Sequence, residues 1–177
     1  MIEVKLGTGT AVRIEESYEP NFEAKAFFPD WDPAVVQRHR DWLLPAHYDE
    51  ASGWLKLSVH SWLLKVGGKN ILIDTCVGNH KPLPHRPKWH LMETKYLERL
   101  KAAGVEPDQV DMVMCTHLHA DHVGWNTKLE NGRWVPTFPN AKYLFAKREY
   151  AHWESERKAQ GEGKVNDGSF DDSVLPI

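Results

Sequence analysis

Two cysteines among 177 residues, Cys76 and Cys115, are too few for a disulfide framework. The chain must hold together by packing, and free thiols in a reducing compartment are the simpler reading. Positive charge is not in excess either: 22 Lys and Arg stand against 25 Asp and Glu, a formal net charge of −3. With a pI near 6.4 there is no basic footprint for nucleic acid. No apolar run approaches the roughly 18 residues that a membrane span requires, and Met1-Ile2-Glu3-Val4-Lys5 opens no signal-like apolar segment. The expected compartment is therefore the cytoplasm, with no membrane partner. No repeat or interdomain linker is visible, and 41% hydrophobic with 27% charged residues suits one globular domain over 1–177. Tryptophan, by contrast, is plentiful at eight, and such rings are expected to fill core and pocket walls more than to stack on ligands.

Along the chain, Val4-Lys5-Leu6 and Ala11-Val12-Arg13-Ile14 alternate as a hairpin turning at Gly7-Thr8-Gly9. Phe27-Phe28-Pro29-Asp30-Trp31 reads as a loop anchor rather than a pocket wall. Asp32-Pro33 marks a helix start, and Val35, Val36, His39, Trp42 and Leu43 recur at helical spacing up to Pro45. From Trp54 the period changes to two: Leu55, Leu57 and Val59, then Trp62 to Val66, a Gly67-Gly68 turn, and a return through Asn70-Ile71-Leu72-Ile73-Asp74. The returning strand is apolar enough to be buried on both faces. Asn79 to Pro87 is a Pro-rich, basic loop overhanging whatever follows the strands, its histidines His80 and His85, with His90 beyond, expected to be solvated.

Met92, Tyr96, Leu97, Leu100 and Ala103 form the next helical stripe, ended by Gly104. Val110, Met112 and Met114 then alternate with Asp111 and Val113 as a strand whose Val110, Met112 and Met114 side is buried. Further on, Asn131-Gly132 signals a second hairpin, Ala141–Phe145 a strand and Lys147–Ala159 a charged helix. The Gly-, Asp- and Ser-rich stretch from Gly161 to Ser173 reads as loop. Strand, helix, strand, functional loop is an α/β arrangement, in which ligands gather at the carboxyl ends of strands.

The loop that follows Met114 is Cys115-Thr116-His117-Leu118-His119-Ala120-Asp121-His122-Val123-Gly124, with three imidazoles and a carboxylate in six consecutive positions. Imidazole nitrogens and carboxylate oxygens are what zinc accepts at about 2.0–2.2 Å. A turn here lets His117 and His119 point one way and Asp121 and His122 another, which suits two ions roughly 3.5–4 Å apart sharing an acidified water. Hydrolysis is the chemistry that follows. Two other readings stand beside it: ordinary solvated or core histidines, and a closed structural metal site, which would favour more cysteine.

Thr116-His117-Leu118-His119-Ala120-Asp121-His122 resembles the H-x-H-x-D-H motif of metallo-beta-lactamase-fold hydrolases, and Val123-Gly124-Trp125-Asn126 resembles the extension found in their lactonase-like and organophosphate-hydrolase-like members. The resemblance implies an αββα sandwich of two similar halves, of which this chain supplies mainly the first. It implies that His117 and His119 hold one metal and that Asp121 and His122 hold a second. Asp121 is also the candidate catalytic residue. Asp74, at the end of its strand, matches a brace for the metal loop, although an ordinary strand-end turn would use the same residue, and Thr116 is grouped with it as a support. Two Zn2+ are implied for a complete site, with Mn, Co or Fe as alternatives.

The resemblance also implies a further His for the first metal, a bridging Asp and a final His for the second. No His follows His152, which sits too close to the motif to serve. The expectation is a chain incomplete at its C-terminus, with undersupplied ions and with an open sheet face and edge that favour association, such as a homodimer. The leading functional expectation is a lactonase-like hydrolase in which metal-bound hydroxide attacks an ester or lactone carbonyl of a small-molecule substrate. Thioester, beta-lactam or phosphoester hydrolysis is the alternative on the same fold. A non-catalytic metal- or partner-binding module is the alternative of another class.

Overall fold

The computed structural model describes residues 2–177. In chain order the elements are β1 (Glu3–Leu6), β2 (Gly9–Glu23), α1 (Ala24–Phe27), α2 (Ala34–Arg38), α3 (Arg40–Leu43), β3 (Tyr48–Asp49), β4 (Trp54–Val66) and β5 (Lys69–Ile73). There follow α4 (Tyr96–Ala102), β6 (Met112–Met114), α5 (Ala120–Val123), β7 (Thr127–Glu130), β8 (Arg133–Pro136), β9 (Lys142–Leu144) and α6 (Lys147–Gln160). They group into two compact units, residues up to Glu16 with His60–Ile177, and Ser17–Val59, the boundary falling inside β2 and β4.

In the larger unit the strands follow the order β1-β2-β4-β5-β6-β9. β1 and β2 form the expected hairpin, Leu6 opposite Gly9. β4 and β5 form the second, Val66 opposite Lys69, with both turn glycines at positive φ (56° and 71°). These are the left-handed values that a two-residue hairpin turn demands and glycine reaches without steric cost. β5, β6 and β9 run parallel, with Leu72 beside Val113 and Val113 beside Tyr143. Leu63, Leu72 and Val113 thus form one row across three strands, each fully excluded from solvent.

The opposite face departs from the sequence reading. Ile71 and Ile73 are only half-buried, and Met114 and Leu144, side by side across β6 and β9, are each 41% exposed. The side of β6 that carries Met112 and Met114 is therefore not the core side. Val110 is buried, but it caps the short turn Pro107–Gln109 and lies outside the strand, which begins at Met112. Counting the period from Val110 shifted the face by one residue, which inverts every side chain.

Tyr96 and Leu100 bury the inner face of α4, and Gly104 ends it at φ +81° as expected; Met92 lies outside it. The β7–β8 hairpin turns at Asn131-Gly132, both with positive φ. The stretch from Gly161 is more ordered than its composition suggested. It contains turns at Asn166–Gly168 and Phe170–Val174 and buries Val165, Phe170 and Val174. Those three apolar residues are widely spaced among Gly and Asp, so no period could reveal them.

Tyr96 provides one check of the core. Its hydroxyl lies 2.7 Å from Ser61 Oγ, which in turn lies 3.4 Å from Cys76 Sγ, all in the interior. Tyr96→Phe strips one buried hydroxyl of its partner and should lower unfolding free energy by about 1 kcal/mol, read from urea denaturation.

In the smaller unit, Asp32 Oδ1 accepts the Ala34 amide at 2.9 Å, the expected helix start. The helix then breaks at His39, whose φ of −126° separates α2 from α3. Val36 and Leu43 are buried while Trp42 is half-exposed between the His39 and His47 rings. Phe27 and Phe28 are also half-exposed, edge to face at 5.0 Å. Among the described residues, no helix is long and apolar enough to cross a membrane.

Candidate functional site

Asp74 leaves the end of β5 and Cys115 to His122 leave the end of β6, so both loops of the candidate site emerge at the carboxyl end of neighbouring parallel strands. The strand ladder continues one step into each: the Asp74 amide donates to Met114 O at 3.0 Å and the Cys115 amide to Leu144 O at 2.9 Å. Beyond that the chain turns sharply. Asp74, Cys76 and Gly78 all have positive φ, at 59°, 54° and 83°. A left-handed Cys is strained by about 1–3 kcal/mol and persists only where its surroundings over-determine it.

Those surroundings are the second loop. The Thr75 amide donates to His122 O, the Gly124 amide to Cys76 O and the Trp125 amide to Thr75 O, each at 2.8 Å. Asn126 Oδ1 accepts the Thr75 hydroxyl at 2.9 Å. The two loops are so close that a Cβ on Gly124 would sit 1.7 Å from Val77 O. Asp74 then reaches across: its carboxylate accepts the Thr116 amide and hydroxyl, each at 2.7 Å, and meets His122 Nδ1 at 2.9 Å. Burial would raise the Asp74 carboxyl, but the bonds from His122 and Thr116 outweigh it and hold it below the ordinary value.

The imidazoles crowd together instead of dividing into two pairs. His117 lies 4.7 Å from His119 and 3.9 Å from His122, centroid to centroid, and Thr116 Oγ1 is 3.1 Å from His117 Nδ1. His122 Nε2 is 3.5 Å from Asp121 Oδ2. Burial alone would push His122 down, yet Asp121 and Asp74 raise it to about 9. Asp121 is held below its ordinary value because the His122 bond more than offsets burial. His117 goes down, through burial first and then through its two imidazole neighbours.

Two polar side chains outside the motif shape it. Glu149 of α6 accepts the Leu118 amide at 3.2 Å and Trp153 Nε1 at 3.3 Å, and Asn166 donates to Leu118 O. Trp153 stands edge-on to His119 at 5.7 Å. Sequence reading missed these residues, and it missed Glu16, whose carboxylate accepts N–H groups next to the site from Val77, Gly78 and Trp125. Its signal was there: Val12, Ile14 and Glu16 share one side of an alternating strand. Glu149 and Asn166 had none, being single polar residues in polar segments. Cys76 and Cys115 are free and buried, and burial pushes both thiols up, Cys115 to about 12. His80 is half-exposed near Glu93, while His85 and His90 are exposed and His152 packs against Trp153.

The donor set fits a divalent cation in kind. Asp74 occupies Nδ1 of His122, so Nε2 is the ring nitrogen that could coordinate a cation. The 3.5 Å between that nitrogen and Asp121 Oδ2 is about what two ligands on one tetrahedral ion with bonds of about 2.0–2.2 Å would show. The set is incomplete, however, since no three His, Cys, Asp or Glu groups converge on one point among the described residues.

A sequence profile of the metallo-beta-lactamase superfamily matches residues 54–176. The chain belongs to that superfamily. No curated protein matches it. Among solved structures it is similar to AbOPH, a hydrolase in the beta lactamase superfamily, at 22% identity and a TM-score of 0.71, over 98% of this chain and 56% of that one. It is similar to the dizinc quorum-quenching lactonase AidC, in complex with a product, at 22% identity and a TM-score of 0.66, over 86% and 46%. A probable metal-dependent hydrolase from Staphylococcus aureus matches at 19% identity and 0.67, over 86% and 52%. At such identities the likeness establishes the fold, a metallo-beta-lactamase-type α/β arrangement, and the chain spans about half the length of these structures.

Proposed function

We propose that this metallo-beta-lactamase-fold chain serves in metal-dependent hydrolysis, acting at an ester or lactone carbonyl of a small molecule. The observation that carries the reading is His122, gripped by Asp74 at one nitrogen and presented to Asp121 at the other, among the rings of His117 and His119. His117, His119, Asp121 and His122 would hold divalent cations, Zn2+ by preference and Mn, Co or Fe otherwise. When bound, such ions act as Lewis acids and make a water acidic enough to attack near neutral pH.

The chain's own residues do the positioning. Asp74 fixes the His122 tautomer and ring angle, and Thr116 ties Asp74 to the strand that carries the motif. Asp121, kept ionised, would turn Oδ2 toward the cation beside His122 Nε2 and offer its other carboxylate oxygen as acceptor for a proton of the attacking water. Trp153 shields one side of His119 from solvent. Lactone as substrate is supported by the dizinc lactonase among the similar structures. A cytoplasmic location is supported by the free buried thiols, and a small molecule over nucleic acid by the acidic balance. The half-exposed row of Met114 and Leu144 supports association, for instance as a homodimer.

The test is zinc content and turnover of a lactone, thioester and phosphotriester panel. Lactone hydrolysis should fall by about 100-fold or more in the His117→Ala/His119→Ala variant. Turnover of the thioester alone would move the substrate, and a chain that binds no cation would overturn the proposal. A second reading, a non-catalytic metal- or partner-binding module, is favoured by the absence of any three-donor group among the described residues. Metal bound without turnover of any panel member would decide for it.

A further inference from the structure

Glu16 is an anomaly that the hydrolytic reading leaves unused. It is 2% exposed, lies on the same side of β2 as buried Val12 and Ile14, and is met by hydrogen-bond donors and by no cation among the described residues. An unpaired carboxylate in such a place is costly and is normally replaced or neutralised. Here it is saturated by donors from both loops of the site. Oε2 accepts the Val77 amide at 2.8 Å, and Oε1 accepts the Gly78 amide at 3.0 Å and Trp125 Nε1 at 2.6 Å.

Those donors lie on either side of a close backbone approach, where a Cβ added to Gly124 would sit 1.7 Å from Val77 O. Val77 and Gly78 are the residues that Gly124 abuts, and Trp125 follows directly. Trp125 is further held by its stack on Tyr96, ring centroids 5.4 Å apart and 19° from parallel. One carboxylate therefore clamps the loop that starts at Asp74 to the turn that ends at Trp125. Three residues before the clamp on each loop, at Asp74 ahead of Val77 and at His122 ahead of Trp125, lies the Asp74 to His122 contact.

We propose that Glu16 is a positioning residue for the ligand turn: by accepting from Val77, Gly78 and Trp125 together it sets the spacing between Asp74 and His122. This rests on the reading of that turn as a cation site, and it adds a residue from a distant strand. Glu16 acts only through others, since it contacts none of the proposed ligands.

The geometry also makes the clamp pH-dependent. Burial raises the Glu16 carboxyl to about 7, against the lowering bonds from Val77, Trp125, Gly78 and Thr94. The groups facing it are the Cys76 thiol and the Tyr96 hydroxyl, both pushed well up by burial and so neutral, with Asp74 beyond them. Arg99 spends its guanidinium on the Glu15 and Glu16 carbonyls. Protonating Glu16 removes acceptor capacity from the clamp, so the grip on Trp125 should loosen below about pH 7.

The experiment uses the metal-free 177-residue chain and its Glu16→Gln and Glu16→Asp variants. The Trp125 indole N–H resonance of the wild type should move with a midpoint near pH 7, and in Glu16→Gln it should be displaced and not titrate. His122 ring resonances should be displaced in both variants, with circular dichroism unchanged. Cobalt(II) affinity should fall about 10–100-fold in Glu16→Gln, as for other residues that orient a ligand from behind. Should Glu16→Gln not fold, Glu16→Asp, which keeps the charge and withdraws it by one methylene, carries the same readouts. His122 resonances that stay in place in a folded variant overturn the proposal, as does a Trp125 signal indifferent to pH. A wild type that binds no cobalt would defeat the cation reading alone, while the two resonance measurements still judge the clamp.

Discussion

Gly124→Ala should be the most damaging single substitution in the chain, with a loss of about 4 kcal/mol or more and little soluble folded protein. The reason is space and not backbone freedom. Gly124 has φ −58° and ψ −47°, which any residue adopts. Its added Cβ, however, would lie 1.7 Å from Val77 O, 2.0 Å from Val77 C and 2.7 Å from Gly78 N. All three are backbone atoms, none can swing aside, and the loop that carries them is already held in left-handed conformations. Relief requires parting the two loops, which breaks the bonds of Gly124 to Cys76 and of Trp125 to Thr75 and draws Asp74 away from His122. Gly132→Ala is the control. There φ is +75° and nothing lies within 4 Å of the new Cβ, so only backbone strain of about 1–2 kcal/mol is expected. Urea denaturation of the two variants checks both. Equal losses would mean that the Gly124 contact relaxes at little cost.

The same contact explains which parts of this molecule could be read from sequence. Hairpins were legible because Gly67-Gly68 and Asn131-Gly132 have few other uses between apolar runs, and α4 because Tyr96 and Leu100 recur at helical spacing and Gly104 stops them. The crowded turn at His117, His119, Asp121 and His122 stood out because three imidazoles and a carboxylate in six positions have no common packing explanation, and the superfamily match agrees with the fold that the run implied. What failed is whatever depends on register or on distant partners. Val113 faces the core and Met114 does not because β6 starts at Met112, and no local pattern says where pairing begins. Glu149 and Asn166 bind the Leu118 peptide from segments 31 and 48 residues away. The order of the Phe170–Val174 turn comes from burial of three scattered apolar side chains, a tertiary effect on a stretch whose composition argues for loop.

Lys81 is the other residue that composition misjudged, placed in a basic loop and found 2% exposed, and it sets the second large expectation. Its ammonium donates to Thr127 Oγ1 at 2.7 Å and Asp172 Oδ1 at 3.3 Å, beneath the Trp134 ring 3.6 Å away. The Thr127 hydroxyl in turn donates to Asp172 O at 2.6 Å, so the pair fastens the Phe170–Val174 turn to the β7–β8 hairpin. Asp172→Ala leaves the ammonium buried without its counter-charge, which should cost about 3–5 kcal/mol near pH 6.5. The loss should depend on pH. Burial, opposed by Asp172, lowers Lys81 from 10.5 to about 8. The unfolded chain therefore binds more protons than the folded one between about pH 8 and 10.5, and wild-type stability from this group rises with pH across that window, by roughly 3 kcal/mol in total. Without Asp172 the folded value falls further, the window opens at lower pH, and the variant recovers sooner because a neutral amine is tolerated where an unpaired ammonium is not. Urea midpoints of both proteins at pH 6.5 and 9.5 should then differ less at the higher pH. The paired change Lys81→Met with Asp172→Leu, which removes both charges, should cost under about 2 kcal/mol at either pH. A gap between wild type and Asp172→Ala that is the same at both values would mean that lost packing, and not the stranded charge, is what the aspartate prevents.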